Sequence, residues 1–155
     1  MYGPSLQERF APRSRCFGCG PANELGLRIR SFESGDGRVV AEWNARPEHE
    51  AFDGFLSGGV VGTLIDCHSN WTAIAALMAR SGATKAPPTV TTDYAVRFRR
   101  PTPSGRPLRL IGRVIELTDA SATVETTVEA EGRPTAVGRA TFVIVGPEHP
   151  AYGRW

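Results

Sequence analysis

Lysine is almost missing from this chain: Lys85 stands alone against seventeen arginines. A GC-rich coding sequence produces that bias without functional pressure, so it excludes little by itself. Excess charge of one sign is also scarce. A formal net charge of +2 offers no whole-chain basis for a nucleic-acid partner, although basic side chains can still cluster locally. Long apolar runs are lacking too. No segment approaches the roughly 20 residues of a membrane span, and the opening MYGPSLQERFAPRSR has no apolar stretch of export-signal length. A cytoplasmic protein with no membrane partner is the expectation. The cysteines, Cys16, Cys19 and Cys67, are three, an odd count that argues against a disulfide framework where no export signal is seen. Internal repeats and low-complexity linkers are absent as well.

What is present is an ordinary globular chain. Its 155 residues fit one domain that buries on the order of 70% of its unfolded surface. A hydrophobic fraction of 41% beside a charged fraction of 22% favours a packed core over disorder. Residues 1–23, rich in Pro, Arg and Gly, read as an irregular arm. LGLRIRSFE and GRVVAEWN read as two strands of a hairpin around SGDG. The pattern then changes. Val61, Leu64, Ile65, His68, Trp71, Thr72 and Ala75 recur at spacings of three and four, which predicts one long helix from Gly58 to about Ser81, stopped by Gly82. Four strand-like runs follow: VTTDYAVRFRR, PLRLIGRVIELT, SATVETTVEAEG and PTAVGRATFVIVG. The domain is expected over 24–147, with a tail at 148–155. The fold class is α+β, a six-stranded antiparallel sheet around one long helix. A single helix cannot cover both faces of such a sheet, so a partner chain is expected.

The stretch FLSGGVVGTLID, Phe55 to Asp66, carries the chemistry. It is not a nucleotide loop, because GGVVGT has no Lys before its Thr. Gly58 and Gly59 at a helix start offer open backbone N–H groups where the helix dipole favours negative charge; glycines there also permit a sharp entry turn. Gly59, Gly62, Thr63, Asp66, Asn70 and Ala73 form a small, polar stripe opposite the bulky one. Asp66 in mid-helix is a poor helix former whose burial costs energy without partners and raises its pKa. That prepares an acid for proton transfer or attack, and it equally fits a carboxylate bonded for structure alone. Eight residues of helix separate Gly58 from Asp66 by about 12 Å, too far for both to touch one carbonyl. If both act, they come from two chains related by a twofold axis.

HEAFDGFLSGGVVGTLID resembles the signature of the hotdog-fold acyl-CoA thioesterases, specifically the phenylacetyl-CoA thioesterase-like branch. That signature has an HGG at the helix start and an acid nine residues after its His. YAVRFRRPTPSGRPLRLIGRVIEL is similar to the family's strand, turn and strand, and CFGCGPANELGLRIR looks like a leader found on some members. The resemblance implies a hotdog fold, a homodimer or dimer of dimers, and hydrolysis of a coenzyme A thioester without cofactor. It assigns the Gly58 amide to polarise the thioester carbonyl, with Gly59 supporting the turn. Asp66 of the facing subunit becomes base or nucleophile. Asn70 is placed to orient water, and Thr91 or Thr92 to add a hydroxyl. Ser57 replaces the usual His, and Ala51 stands where many members carry Asn or Gln. Those departures keep a hydratase or dehydratase, and a non-catalytic acyl-CoA binding module, as alternatives.

Arg97, Arg99, Arg100 and Arg106 surround the turn FRRPTPSGR and suit the phosphates of coenzyme A through bidentate bonds; a solvated strand end has the same composition. Cys16 and Cys19 form a CxxC, half of a metal site at most, and no metal is expected. His68 reads as a satisfied core histidine and Trp71 as core or interface.

Overall fold

The computed structural model describes residues 2–155. Two helices and eight strands follow in chain order: α1 (Leu6–Phe10), β1 (Phe32–Glu33), β2 (Arg38–Trp43), β3 (Glu50–Phe52), β4 (Phe55–Leu56), α2 (Gly58–Ser81), β5 (Thr89–Phe98), β6 (Leu108–Leu117), β7 (Ser121–Ala130) and β8 (Arg133–Ile144). Six strands form one antiparallel sheet in the order β1-β2-β6-β7-β8-β5. β3 and β4 make a small separate hairpin. β5 is therefore an edge of the main sheet.

The predicted helix is α2, 24 residues long. Ser57 caps its start, where the Gly59 N–H donates to Ser57 Oγ (3.2 Å), and Gly82 closes it in the left-handed conformation that glycine adopts without strain (φ 74°). Leu64, Ile65, Trp71 and Ile74 are fully buried in the core with Leu108, Leu110 and Val128. Toward the C-terminal end of α2, Leu77 packs with Val124, Ala140 and Phe142.

One row of the sheet explains how closely the helix sits. Gly112 on β6, Thr126 on β7 and Gly138 on β8 are cross-strand neighbours. A Cβ at Gly112 would fall 2.3 Å from Thr72 Oγ1, and one at Gly138 would fall 2.3 Å from Ile65 Cγ2. Between them the hydroxyls of Ser69 and Thr126 share a buried 2.8 Å hydrogen bond. Bare backbone at two positions and a satisfied polar pair at the third thus form the seat of α2.

The first predicted strand is mostly something else. Only Phe32–Glu33 of LGLRIRSFE pairs with β2. The preceding backbone bonds to the N-terminal arm: the N–H groups of Leu27 and Ile29 donate to Phe17 O (2.8 Å) and Gly18 O (3.0 Å), and Leu6 N–H donates to Ser31 O (2.9 Å). The arm is correspondingly more ordered than its composition suggests. Its helical turn α1 carries a capping box, in which Glu8 N–H donates to Ser5 Oγ (3.2 Å) and Ser5 N–H to Glu8 Oε2 (2.7 Å). The tail also docks: Trp155 packs at a tilt of 50° against buried Trp71, ring centroids 5.1 Å apart, and donates through Nε1 to Pro87 O (2.8 Å).

Candidate active site on the central helix

The chain enters α2 through a 3-10 turn, Pro47–His49, and the β3–β4 hairpin, elements with no periodicity to announce them. Ser57 N–H donates to His49 O (2.9 Å) and Leu56 N–H to Thr102 O (2.9 Å), which fixes the helix start against the loop after β5. Ser57 Oγ is engaged as the cap. The Gly58 N–H has no intramolecular acceptor among the described residues, and Gly58 itself is exposed. It is an N–H at the positive end of a long helix, open to an incoming oxygen.

Gly58 borders an open cleft of about 430 Å³ lined chiefly by Phe52, Phe55, Leu56, Val61 and Phe98, with Arg99 and Arg100 beside them. Two of the four predicted phosphate-binding arginines therefore stand at the cleft. The other two do not gather with them. Arg106 donates through Nε to Glu131 Oε1 (3.1 Å), and exposed Arg97 alternates with Val96 and Phe98, on the opposite face of β5.

Asp66 lies two turns further along α2 and is half-buried. Thr91 Oγ1 donates to its Oδ1 at 2.8 Å. Burial pushes the Asp66 carboxyl above its ordinary range, while the Thr91 hydroxyl and the charge of Arg154 work in the other direction. One turn on, Asn70 is buried and its Oδ1 accepts from Thr89 Oγ1 (2.7 Å). Its NH₂ group has no acceptor among the described residues. Thr92, the other expected hydroxyl, is turned away: it donates to Thr141 O on β8 (3.1 Å).

A β-bulge separates the two threonines. Thr91 pairs with Phe142 and Asp93 with Thr141, so Thr92 is the extra residue. Such a bulge shifts the alternation of a strand by one and re-aims its side chains. Thr89 and Thr91 face the helix before it, and Tyr94, Val96 and Phe98 after it. A Cβ at Gly62 would lie 3.3 Å from Tyr94 Oη, and one at Gly58 3.5 Å from Phe98 Cζ. Tyr94 and Phe98 thus stand over the small stripe of α2, yet remain 48% and 53% exposed. Sequence reasoning passed over both, because without the bulge the alternation of β5 places them on the other face.

His68 is sealed away from Asp66. Its Nε2–H donates to Val39 O (2.9 Å), which leaves Nδ1 to accept from Ser31 Oγ (2.8 Å). Complete burial holds its pKa down to about 4. Ser31 in turn bonds to Gln7, accepting from Nε2 (3.0 Å) and donating its N–H to Oε1 (2.9 Å). This is the satisfied core histidine that the sequence suggests.

The cysteines depart from expectation. Cys16 and Cys19 are joined by Cys67, the residue after Asp66, and the three Sγ atoms lie within 4.8 Å of one another. Contacts with the Cys19 and Cys67 sulfurs lower the pKa of Cys16, and the same contacts push Cys19 up to about 12 and Cys67 upward, where burial adds to them.

Comparison with known proteins places this architecture. The family model of the thioesterase superfamily matches residues 53–137, a span that includes α2 with Gly58 and Asp66. The chain belongs to the thioesterase superfamily, and its six-stranded antiparallel sheet around one long helix is the hotdog fold. Among solved structures it is similar to a thioesterase superfamily protein from Shewanella loihica, with 28% identity and a TM-score of 0.64 over 81% of this chain and 98% of that one. It shares its fold with a Streptococcus mutans protein solved bound to acetyl CoA, at 19% identity and TM-score 0.63 over 76% of this chain and 89% of that one. The PaaI protein of the Escherichia coli phenylacetic acid degradation operon superposes with TM-score 0.63 at 16% identity, over 77% of this chain and 81% of that one. Curated protein sequences returned no match. No helix among the described residues is long and apolar enough to cross a membrane.

Proposed function

We propose that this chain is an acyl-CoA thioesterase whose active site is shared between two copies, with Asp66 of one protomer facing Gly58 of its partner. The observation that carries the reading is the half-buried Asp66 carboxylate, held by Thr91 on the small-residue side of a helix whose Gly58 N–H lacks an acceptor. Both groups cannot serve one carbonyl within a chain, since about 12 Å of helix separates them. Antiparallel pairing of two α2 helices brings them together twice. The exposed β5 edge, with Tyr94 and Phe98 uncovered above the stripe, supports a second copy on this side.

In this reading the Gly58 N–H donates to the thioester oxygen as it gains negative charge, a contribution on the order of 3 kcal/mol for one donor. Asp66 removes a proton from the water that adds to the carbonyl carbon, or attacks that carbon itself to form a mixed anhydride that water then hydrolyses. On either route the carbon–sulfur bond breaks and coenzyme A leaves as its thiol, taking up a proton. Asn70, with its free NH₂, helps hold the water. The apolar cleft beside Gly58 receives the apolar part of the substrate, and Arg99 and Arg100 meet coenzyme A phosphates. The acetyl CoA held by the S. mutans relative supports a coenzyme A thioester as the ligand class. No histidine side chain is bonded to Asp66: His68 is sealed by Val39 and Ser31, and His49 Nδ1 accepts from Arg46 N–H. A hydratase of this fold pairs its acid with a histidine, and Ser57 stands at the helix start where that histidine is expected, which favours hydrolysis over hydration of an enoyl thioester.

The test is thiol release from short, medium and aromatic acyl-CoAs. Asp66→Asn should lower kcat by about 10²–10⁴-fold with the fold intact. Tyr94→Arg should shift the protein to monomer in sedimentation and abolish turnover in the same concentration range. Normal turnover by folded Asp66→Asn would refute the assigned role, and a fully active monomer would refute the shared site.

A further inference from the structure

Three thiols brought together from two segments are an unusual filling for a protein interior. We propose that Cys16, Cys19 and Cys67 bind one thiophilic divalent cation, zinc above others, which clamps the N-terminal arm to the central helix one residue from Asp66.

Thiolates on a tetrahedral zinc at about 2.3 Å stand about 3.8 Å apart. Cys16 Sγ and Cys67 Sγ are 3.7 Å apart, and Cys19 Sγ lies within 4.8 Å of both. A cation can take all three with small side-chain adjustments. A Cys16–Cys67 disulfide instead requires contraction to about 2.05 Å and strands the third sulfur. Soft sulfur donors select zinc, copper(I) or iron over the hard cations.

The backbone around the pair is built for close approach. Gly20 N–H donates to Cys16 O (2.9 Å), closing a tight CFGCG turn. A Cβ at Gly20 would fall 2.4 Å from Cys16 N and 2.5 Å from Ser14 O, and one at Gly18 would fall 2.3 Å from Cys67 Sγ. Only glycines let the turn bring its sulfurs against α2. Outside the triad, Trp71 Nε1–H donates to Cys19 Sγ (3.3 Å), an outer contact that orients one ligand and favours its thiolate. Cys19 and Cys67 are 3% and 8% exposed, whereas Cys16 is half-buried. The fourth position therefore opens on the Cys16 side, toward solvent.

The experiment uses the full chain, reduced and stripped with a chelator, titrated with Co²⁺ as a spectroscopic probe and with Zn²⁺. One equivalent of Co²⁺ should produce a near-ultraviolet thiolate-to-metal charge-transfer band together with tetrahedral visible bands, and Zn²⁺ should displace it and raise Tm. Cys16→Ser, half-buried at the margin of the core, should keep the fold by circular dichroism while losing the band. Cys67→Ala provides a second variant with the same expected loss. The proposal is overturned if reduced protein shows neither band nor Tm change, if folded Cys16→Ser binds Co²⁺ as before, or if the protein is isolated without metal as a Cys16–Cys67 disulfide.

Discussion

Thr91 and Asp66, 25 residues apart in sequence, are joined by a 2.8 Å hydrogen bond in which the threonine hydroxyl donates to the carboxylate. The bond exists because the bulge at Thr92 comes after Thr91 and not before it. The two adjacent threonines should therefore behave differently. Thr91→Val removes a bond to a charged group, worth about 1.5–3 kcal/mol, and should lower kcat by roughly ten- to a hundredfold. Thr92→Val loses only its bond to Thr141 O and should leave kcat unchanged. Steady-state kinetics on an acyl-CoA checks both, and equal effects would refute the distinction.

Gly138 tests the seat of the helix. A methyl group there meets Ile65 Cγ2 at 2.3 Å, on a β-branched side chain that is stiff in a helix. Gly138→Ala should destabilise the protein by about 1–3 kcal/mol. Gly59→Ala, whose Cβ meets only Ser57 Oγ at 3.6 Å, should not clash. Urea denaturation distinguishes them as a shift in midpoint at constant slope.

Ser31 tests the buried network behind the helix. Ser31→Ala deprives His68 Nδ1 and Gln7 Nε2 of their partner at once. Each is buried, so the loss should cost about 1–3 kcal/mol or more, measurable as a fall in Tm. An unchanged Tm would mean that the network is not formed.

Acid should loosen the arm. The Ser5 backbone N–H and the Arg30 side chain hold the Glu8 carboxyl down to about 2, against an ordinary 4.5. A depressed carboxyl stabilises the fold above its unfolded value and loses that contribution as pH falls toward the folded one. The window is thus about 4.5 down to about 2. Because the side chain is 39% exposed, solvent screening limits the effect to less than about 1 kcal/mol. Tm measured across this range should fall less steeply in Glu8→Gln than in the parent chain, and parallel curves would dismiss the contribution.

The helix and four later strands were readable because their periodicities are long: α2 repeats its apolar positions over six turns, and β5 to β8 are bounded by turn residues. The positions of Gly58 at the start of that helix, and of Asp66 and Asn70 along its small-residue side, follow from spacing alone. What escaped was set by tertiary pairing. Phe32–Glu33 is the only paired part of the first predicted strand because the arm takes the hydrogen bonds of Leu27 and Ile29. The orientation of Thr91, Tyr94 and Phe98 depends on one extra residue in β5, which no alternation reveals. Cys67 joins Cys16 and Cys19 only through folding, since 51 residues separate it from Cys16.

The seat formed by Gly112, Thr126 and Gly138 acts as a fulcrum. It fixes the height of α2 at Ile65, Ser69 and Thr72, next to Asp66 and away from the cleft at the helix start. Phe52 and Phe55, on the separate β3–β4 hairpin, line that cleft, and none of the three seat residues does. Residues that shape the cleft can therefore be exchanged, and its depth altered, while the carboxylate keeps its place above the sheet.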